Sequence, residues 1–76
     1  MLTERYADAL QLAWKLHSTQ VRKGTTIPYI SHLIAVSSLA LEHGANEDEA
    51  IAALLHDAVE KWPRLSEQHA PIFKWT

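Results

Sequence analysis

The stretch AALLHDAVEKW, residues 52–62, sets His56 and Asp57 side by side among apolar neighbours and puts Glu60 a helical turn further on. An imidazole nitrogen beside a carboxylate oxygen can hold Mn, Fe, Zn or Mg in differing degree. The same pair can equally be a satisfied polar contact inside a core, or a surface pair that composition alone produces. Helix geometry sharpens the choice. At about 100° per residue, Ile51, Leu54, Leu55, Ala58 and Val59 cover a broad apolar arc, and Ala53, His56, Asp57 and Glu60 fill the opposing wedge. From Ala50 to Val59 the pair is the only polar feature, so the helix is expected at a domain centre with no solvent face. His56 and Asp57 would then be buried or line a pocket. A buried carboxylate is normally paired, protonated or coordinated to a cation. The nearest basic side chain on the helix, Lys61, is offset by about 40°. A metal ion held by His56, Asp57 and one more imidazole, with His32 as the natural donor, is one way to satisfy the carboxylate, and at this point it stands level with a satisfied core contact or a chance surface pair.

Three helices must position these groups. Residues 3–20 read as the first, with Thr3 as N-cap, Glu4 in the first turn and a stripe of Tyr6, Ala9, Leu10, Ala13, Leu16 and His17. His17 closes the stripe, where the helix dipole favours an imidazole. Residues 21–30, VRKGTTIPYI, form a loop in which Arg22, Lys23 and Gly24 either receive an anion or are simply solvated. Ser31 is placed to cap a second helix over 32–43, closed by Gly44. His32 then sits in the first turn, where the dipole disfavours a cationic ring and a neutral, ligating imidazole fits. Asn46 and Glu49 make a capping box for the third helix, 47–61. The tail, 62–76, loses periodicity: Pro63 and Pro71 interrupt it, leaving Phe73 and Trp75 stranded. The fold class is thus all-α, a small helical bundle.

At 76 residues one domain is the ceiling, and a chain this short buries only roughly 60% of its unfolded surface. No cysteine is present, which excludes disulfides and thiolate sites as stabilisers and leaves a metal or a second subunit. Net charge is −2 with one dense basic spot, Arg22–Lys23, too little for a nucleic-acid footprint. No apolar run reaches the ~20 residues of a membrane span, and no signal peptide opens the chain. The expected setting is cytoplasmic, without membrane or nucleic-acid partners. Trp14, Trp62 and Trp75 read as packing or interface residues.

The run HSTQVRKGTTIPYISH followed by DEAIAALLHDAVE, in that order and at that separation, resembles the HD-domain metal-dependent phosphohydrolases, specifically the RelA/SpoT-like alarmone hydrolases. It is similar to their H-x-G-Q-x-R-x-x-G-x-P-Y-I-x-H and A-A-L-L-H-D-x-x-E-D signatures over about residues 7–61. The resemblance implies a helical bundle corresponding to the first helices of an HD domain. His32, His56 and Asp57 match three metal ligands, usually for manganese. Glu60 matches the acid that positions or activates the attacking water, and Arg22 and Lys23 match a basic loop contacting the guanosine nucleotide. The implied reaction removes the 3′-pyrophosphate from guanosine tetra- or pentaphosphate.

Three departures bear on that implication. Lys61 stands where the signature has aspartate, which puts a positive charge near the water. Leu33 follows His32 where proline is common. The signature's fourth ligand is a later aspartate on a further helix, and after Asp57 only Glu60 and Glu67 carry carboxylates here. The chain reads as cut short. Two functions follow: a weak metal-dependent phosphohydrolase, or an inactive remnant serving as a binding or oligomerisation module. A structural zinc site is disfavoured because His17, His43 and His69 lack paired short spacing. With only two helices to cover the third, an exposed apolar patch and a homo-oligomer are expected.

Overall fold

The computed structural model describes residues 1–73; Trp75 lies outside the described residues. Four helices run in order, α1 (Glu4–His17), α2 (Tyr29–Glu42), α3 (Glu47–Lys61) and α4 (Leu65–Gln68). The described residues contain no strand, only an isolated antiparallel bridge between Val21 and Pro28. The all-α expectation holds. α3 packs against both α1 and α2, and these two touch each other less. The central position expected of α3 follows from its inner face, where Ala50, Ile51, Leu54, Leu55 and Ala58 are fully buried. The α1 stripe turns inward as its spacing requires, with Ala9, Ala13 and His17 buried and Leu12 joining them.

Several boundaries differ from the sequence reading. α1 stops at His17 rather than 20, because Ser18 to Gln20 turn into the loop. That loop folds back on itself: the Arg22 amide donates to Ile27 O at 2.9 Å, and the Tyr29 amide to Gln20 O at 2.8 Å. Gly24 takes φ +75° at its tip, a conformation other residues rarely adopt. α2 begins at Tyr29 behind Pro28, not behind Ser31. Proline's fixed φ, −56° here, suits a helix start, and the first helical amide is already satisfied by the loop. The Ser31 hydroxyl instead donates to Pro28 O at 2.7 Å.

The tail is not wholly irregular. After Pro63 it makes the short α4 and a further turn. Leu65, Ile72 and Phe73 then enter the core, so Phe73 is buried rather than stranded. The Arg5 guanidinium fastens this segment by donating to Ile72 O at 3.2 and 3.3 Å. α3 also has a solvent side, contrary to expectation: His56, Val59 and Glu60 are exposed, and Ala52, Ala53 and Asp57 half-buried. Ala52 and Ala53 are too small to demand cover and Val59 stays 37% exposed, so an apolar letter need not mark a covered surface. Apolar side chains left outside include Trp14 on α1, 57% exposed, and Ile34, Val36 and Leu39 on α2, the last 60% exposed. No helix among the described residues is long and apolar enough to cross a membrane.

Candidate functional site

The C-terminal half of α3 carries the pair. His56 and Asp57 diverge along the helix, yet their side chains meet, Nε2 to Oδ1, at 3.0 Å. The His56 Nδ1–H is directed at Ala53 O, 3.3 Å away. Facing the Asp57 carboxylate, Nε2 needs a proton of its own to bond it; a metal-ligating imidazole would give up that proton and keep the one on Nδ1. Two ligands of an octahedral ion with bonds of about 2.1 Å lie about 3 Å apart, so the observed separation suits two neighbouring positions on one cation.

Asp57 is half-exposed and already partnered. Its Oδ2 accepts a hydrogen bond from the Tyr29 hydroxyl, and its Oδ1 faces His56. The sequence leaves Asp57 without a basic partner on its own helix; in the fold its partners are a phenol and an imidazole. Loop residues 18–28 bring Tyr29 across from the start of α2, a long-range arrangement. The hydrogen bond to Asp57, reinforced by burial and by the carboxylate's charge, holds the Tyr29 phenol above its usual pKa, and the Arg22 charge offsets part of that rise. The Tyr29 ring also lies against two imidazoles, with centroids 5.2 Å from His17 and 5.7 Å from His32.

His32 is thus one aromatic ring away from Asp57. Among the described residues no three His, Asp or Glu side chains are placed to hold one metal ion. Two of the three sequence-derived ligands come together, and the third stands at Tyr29. Glu60 shares a cleft of about 370 Å³ with His17, Gln20, Tyr29, Asp57 and Lys61. The Lys61 ammonium sits 5.2 Å from the centre of the Trp62 ring, a cation–π distance. Arg22 and Lys23 are exposed on the loop, and Arg22 is near enough for its charge to act on Tyr29.

Tyr29, His17 and Gln20 line the cleft without having been given a site role from sequence. Tyr29 binds Asp57 directly, and no local pattern marks that contact. His17 is only 3% exposed; its Nδ1 bonds Gln20 Oε1 at 2.7 Å, while its Nε2 is buried without a partner. Its place at the inner end of the α1 stripe was legible, its lining of the cleft was not.

A helical unit with an adjacent His–Asp pair, its aspartate lining a cleft with Glu60, defines the class. The model of the HD domain family matches residues 9–73, and the chain belongs to that family. Among curated proteins it is similar to the bifunctional (p)ppGpp synthase/hydrolase RelA of Mycobacterium tuberculosis, 40% identical over 52 residues, 68% of this chain and 7% of that protein. It is 38% identical over 65 residues to a probable guanosine-3′,5′-bis(diphosphate) 3′-pyrophosphohydrolase of Synechocystis sp., covering 86% of this chain and 8% of that one. The Haemophilus influenzae guanosine-3′,5′-bis(diphosphate) 3′-pyrophosphohydrolase is 37% identical over 57 residues, 75% of this chain and 8% of its own length. The chain therefore spans less than a tenth of these relatives. No solved structure matches.

Proposed function

We propose that this chain is a metal-dependent phosphohydrolase domain that removes the 3′-pyrophosphate from a guanosine nucleotide. The observation that carries the reading is the His56–Asp57 pair, set at cation-ligand spacing beside Glu60 in a member of the HD domain family. The names of the relatives supply the substrate class.

His56 and Asp57 would hold a divalent cation, manganese in this proposal, with His32 as the third donor. Bound there, such an ion lowers the pKa of a coordinated water and polarises a phosphoryl oxygen. Glu60 orients the attacking water and takes its proton on a carboxylate oxygen. Arg22 and Lys23 offset the phosphate charge from the loop. The ester bond to the 3′ oxygen breaks, the water oxygen joins the released pyrophosphate, and a proton completes the 3′ hydroxyl. Lys61 puts a positive charge next to the group that must accept the proton, so turnover is slow. The proposed setting is the cytoplasm, and the exposed Trp14, Ile34 and Leu39 suit a homo-oligomer.

Pyrophosphate release from guanosine-3′,5′-bis(diphosphate), dependent on manganese and absent in His56→Ala, is the expected result. Release no faster than the His56→Ala control removes the hydrolase. A second reading, a non-catalytic binding or oligomerisation module, is favoured by two observations: Asp57 already has two protein partners, and no ligand trio is assembled among the described residues. It requires self-association that persists in chelator, read by sedimentation velocity.

A further inference from the structure

Between α1 and α2 runs an apolar groove of about 400 Å³, lined by Ala7, Leu10, Gln11, Trp14, Ile30 and Ile34. Trp14 stands 57% exposed at its edge, leaving a large apolar surface in water. α2 brings no fixed charge to the groove, since no Asp, Glu, Lys or Arg occurs from Tyr29 to Leu41. α1 does carry charge, and in a definite order. Along its exposed side come Asp8, Gln11 and Lys15, each about one turn beyond the last. Glu4 adds to the acidic end, and no further acid appears before Glu42. Among the described residues neither Asp8 nor Lys15 forms an ion pair. Gln11 lines the groove on one side and lies between Asp8 and Lys15 on the other.

We propose that this surface receives a second copy of the chain, the two α1 helices lying antiparallel about a two-fold axis at Gln11. The inference rests on the homo-oligomer reading above and gives it a surface. A strip that is acidic at one end and basic at the other complements itself only when reversed. Asp8 then meets Lys15 of the partner subunit, and the two-fold axis makes that pair twice. A partner of one sign, such as an anionic lipid surface, would meet repulsion at one end of the strip. Size agrees with charge. The same register sets Trp14, the bulkiest side chain of the groove, beside the partner's Ala7, the smallest, so each indole enters the groove of the other copy. At the axis Gln11 faces its own copy, and each side-chain amide can donate to the other's carbonyl oxygen.

Sedimentation velocity of the full chain over a concentration series is the test, for the wild type, Trp14→Ala, Asp8→Lys and Lys15→Asp. The wild type should form dimers. Trp14→Ala should weaken them about thirtyfold or more, as loss of a central aromatic anchor does. Each charge reversal should weaken them about tenfold, because the two-fold axis repeats every lost pair. An equal mixture of Asp8→Lys and Lys15→Asp should recover wild-type association, since both cross-pairs in the mixed dimer are again opposite in sign. A monomeric wild type overturns this surface together with the homo-oligomer reading, and one that binds phosphatidylserine vesicles instead gives the groove to lipid. Dimers indifferent to all three substitutions overturn the surface and spare the oligomer. Weakened variants that the mixture does not rescue overturn the antiparallel register. Should a charge variant fail to fold, carbodiimide coupling of the wild type decides. An amide joining Asp8 of one copy to Lys15 of the other is expected, and a coupled dimer without it contradicts the arrangement.

Discussion

The two ends of α3 solve the same electrostatic problem by different means. At the N-terminal end the polar groups are satisfied by rules local to helices and by ion pairs. The Asn46 side chain accepts from the Glu49 amide at 2.8 Å, and Glu49 accepts from the Asn46 amide at 2.9 Å. Glu47 and Asp48 add negative charge where the dipole favours it, and Arg5 answers them, 2.7 Å from Asp48 and 3.5 Å from Glu47. At the C-terminal end Asp57, Glu60 and His56 crowd a region where the dipole favours cations, and the buried His17 Nε2 beside them has no partner. The first end is built for stability. The second leaves one buried nitrogen, His17 Nε2, without a partner among the described residues.

That contrast can be broken or sharpened by substitution. The largest effect should come from the core both ends share. Leu54→Ala removes a fully buried side chain and should cost about 2–5 kcal/mol, enough to unfold much of so small a domain in urea titration. A much smaller loss would mean that the α1–α3 packing is looser than described. Next is the cap: Asn46→Ala should cost about 1 kcal/mol while leaving Mn²⁺ binding unchanged. A change in metal affinity would show that the two ends are coupled.

Acid should act on the N-terminal end too. The Thr3 backbone amide, its hydroxyl and the Arg5 charge together hold the Glu47 carboxyl below its ordinary pKa. The folded chain thus binds that proton less tightly than the unfolded chain. The stabilisation is complete above the ordinary carboxylate range and lost as pH falls through the lowered value. Glu47→Gln should flatten the acid limb of melting temperature against pH, and an unchanged limb would assign the acid sensitivity elsewhere. The smallest effect is expected at the other end. Asp57→Asn keeps an oxygen to accept from Tyr29, so stability should stay within about 0.5 kcal/mol. A loss as large as that of the cap would make Asp57 a structural residue.

The same contrast explains what the sequence could reveal. The capping box of Asn46 and Glu49, the glycine at 44 and the inward stripe from Ala9 to His17 obey local rules, and the structure has them. α2 begins ahead of the start at His32 that a Ser31 cap implies, because a loop contact, the Tyr29 amide to Gln20 O, lets Pro28 start the helix. Phe73 looked stranded because the core it joins is built mostly from α1 and α3, far from it in sequence. In the site, adjacency made His56 and Asp57 legible. The bond from Tyr29 and the orphaned His17 nitrogen were not, since both arise from the loop folding back across α3. Lys61 was visible as a departure in charge, and its seat against Trp62 was not.

The central claim, that one divalent ion is held by His32, His56 and Asp57, is tested most directly by pulsed electron resonance on Mn²⁺-loaded protein. The expected spectrum shows nitrogen couplings from two imidazoles, one lost in His32→Ala and the other in His56→Ala. Manganese bound without imidazole coupling, or coupling indifferent to both substitutions, would contradict it.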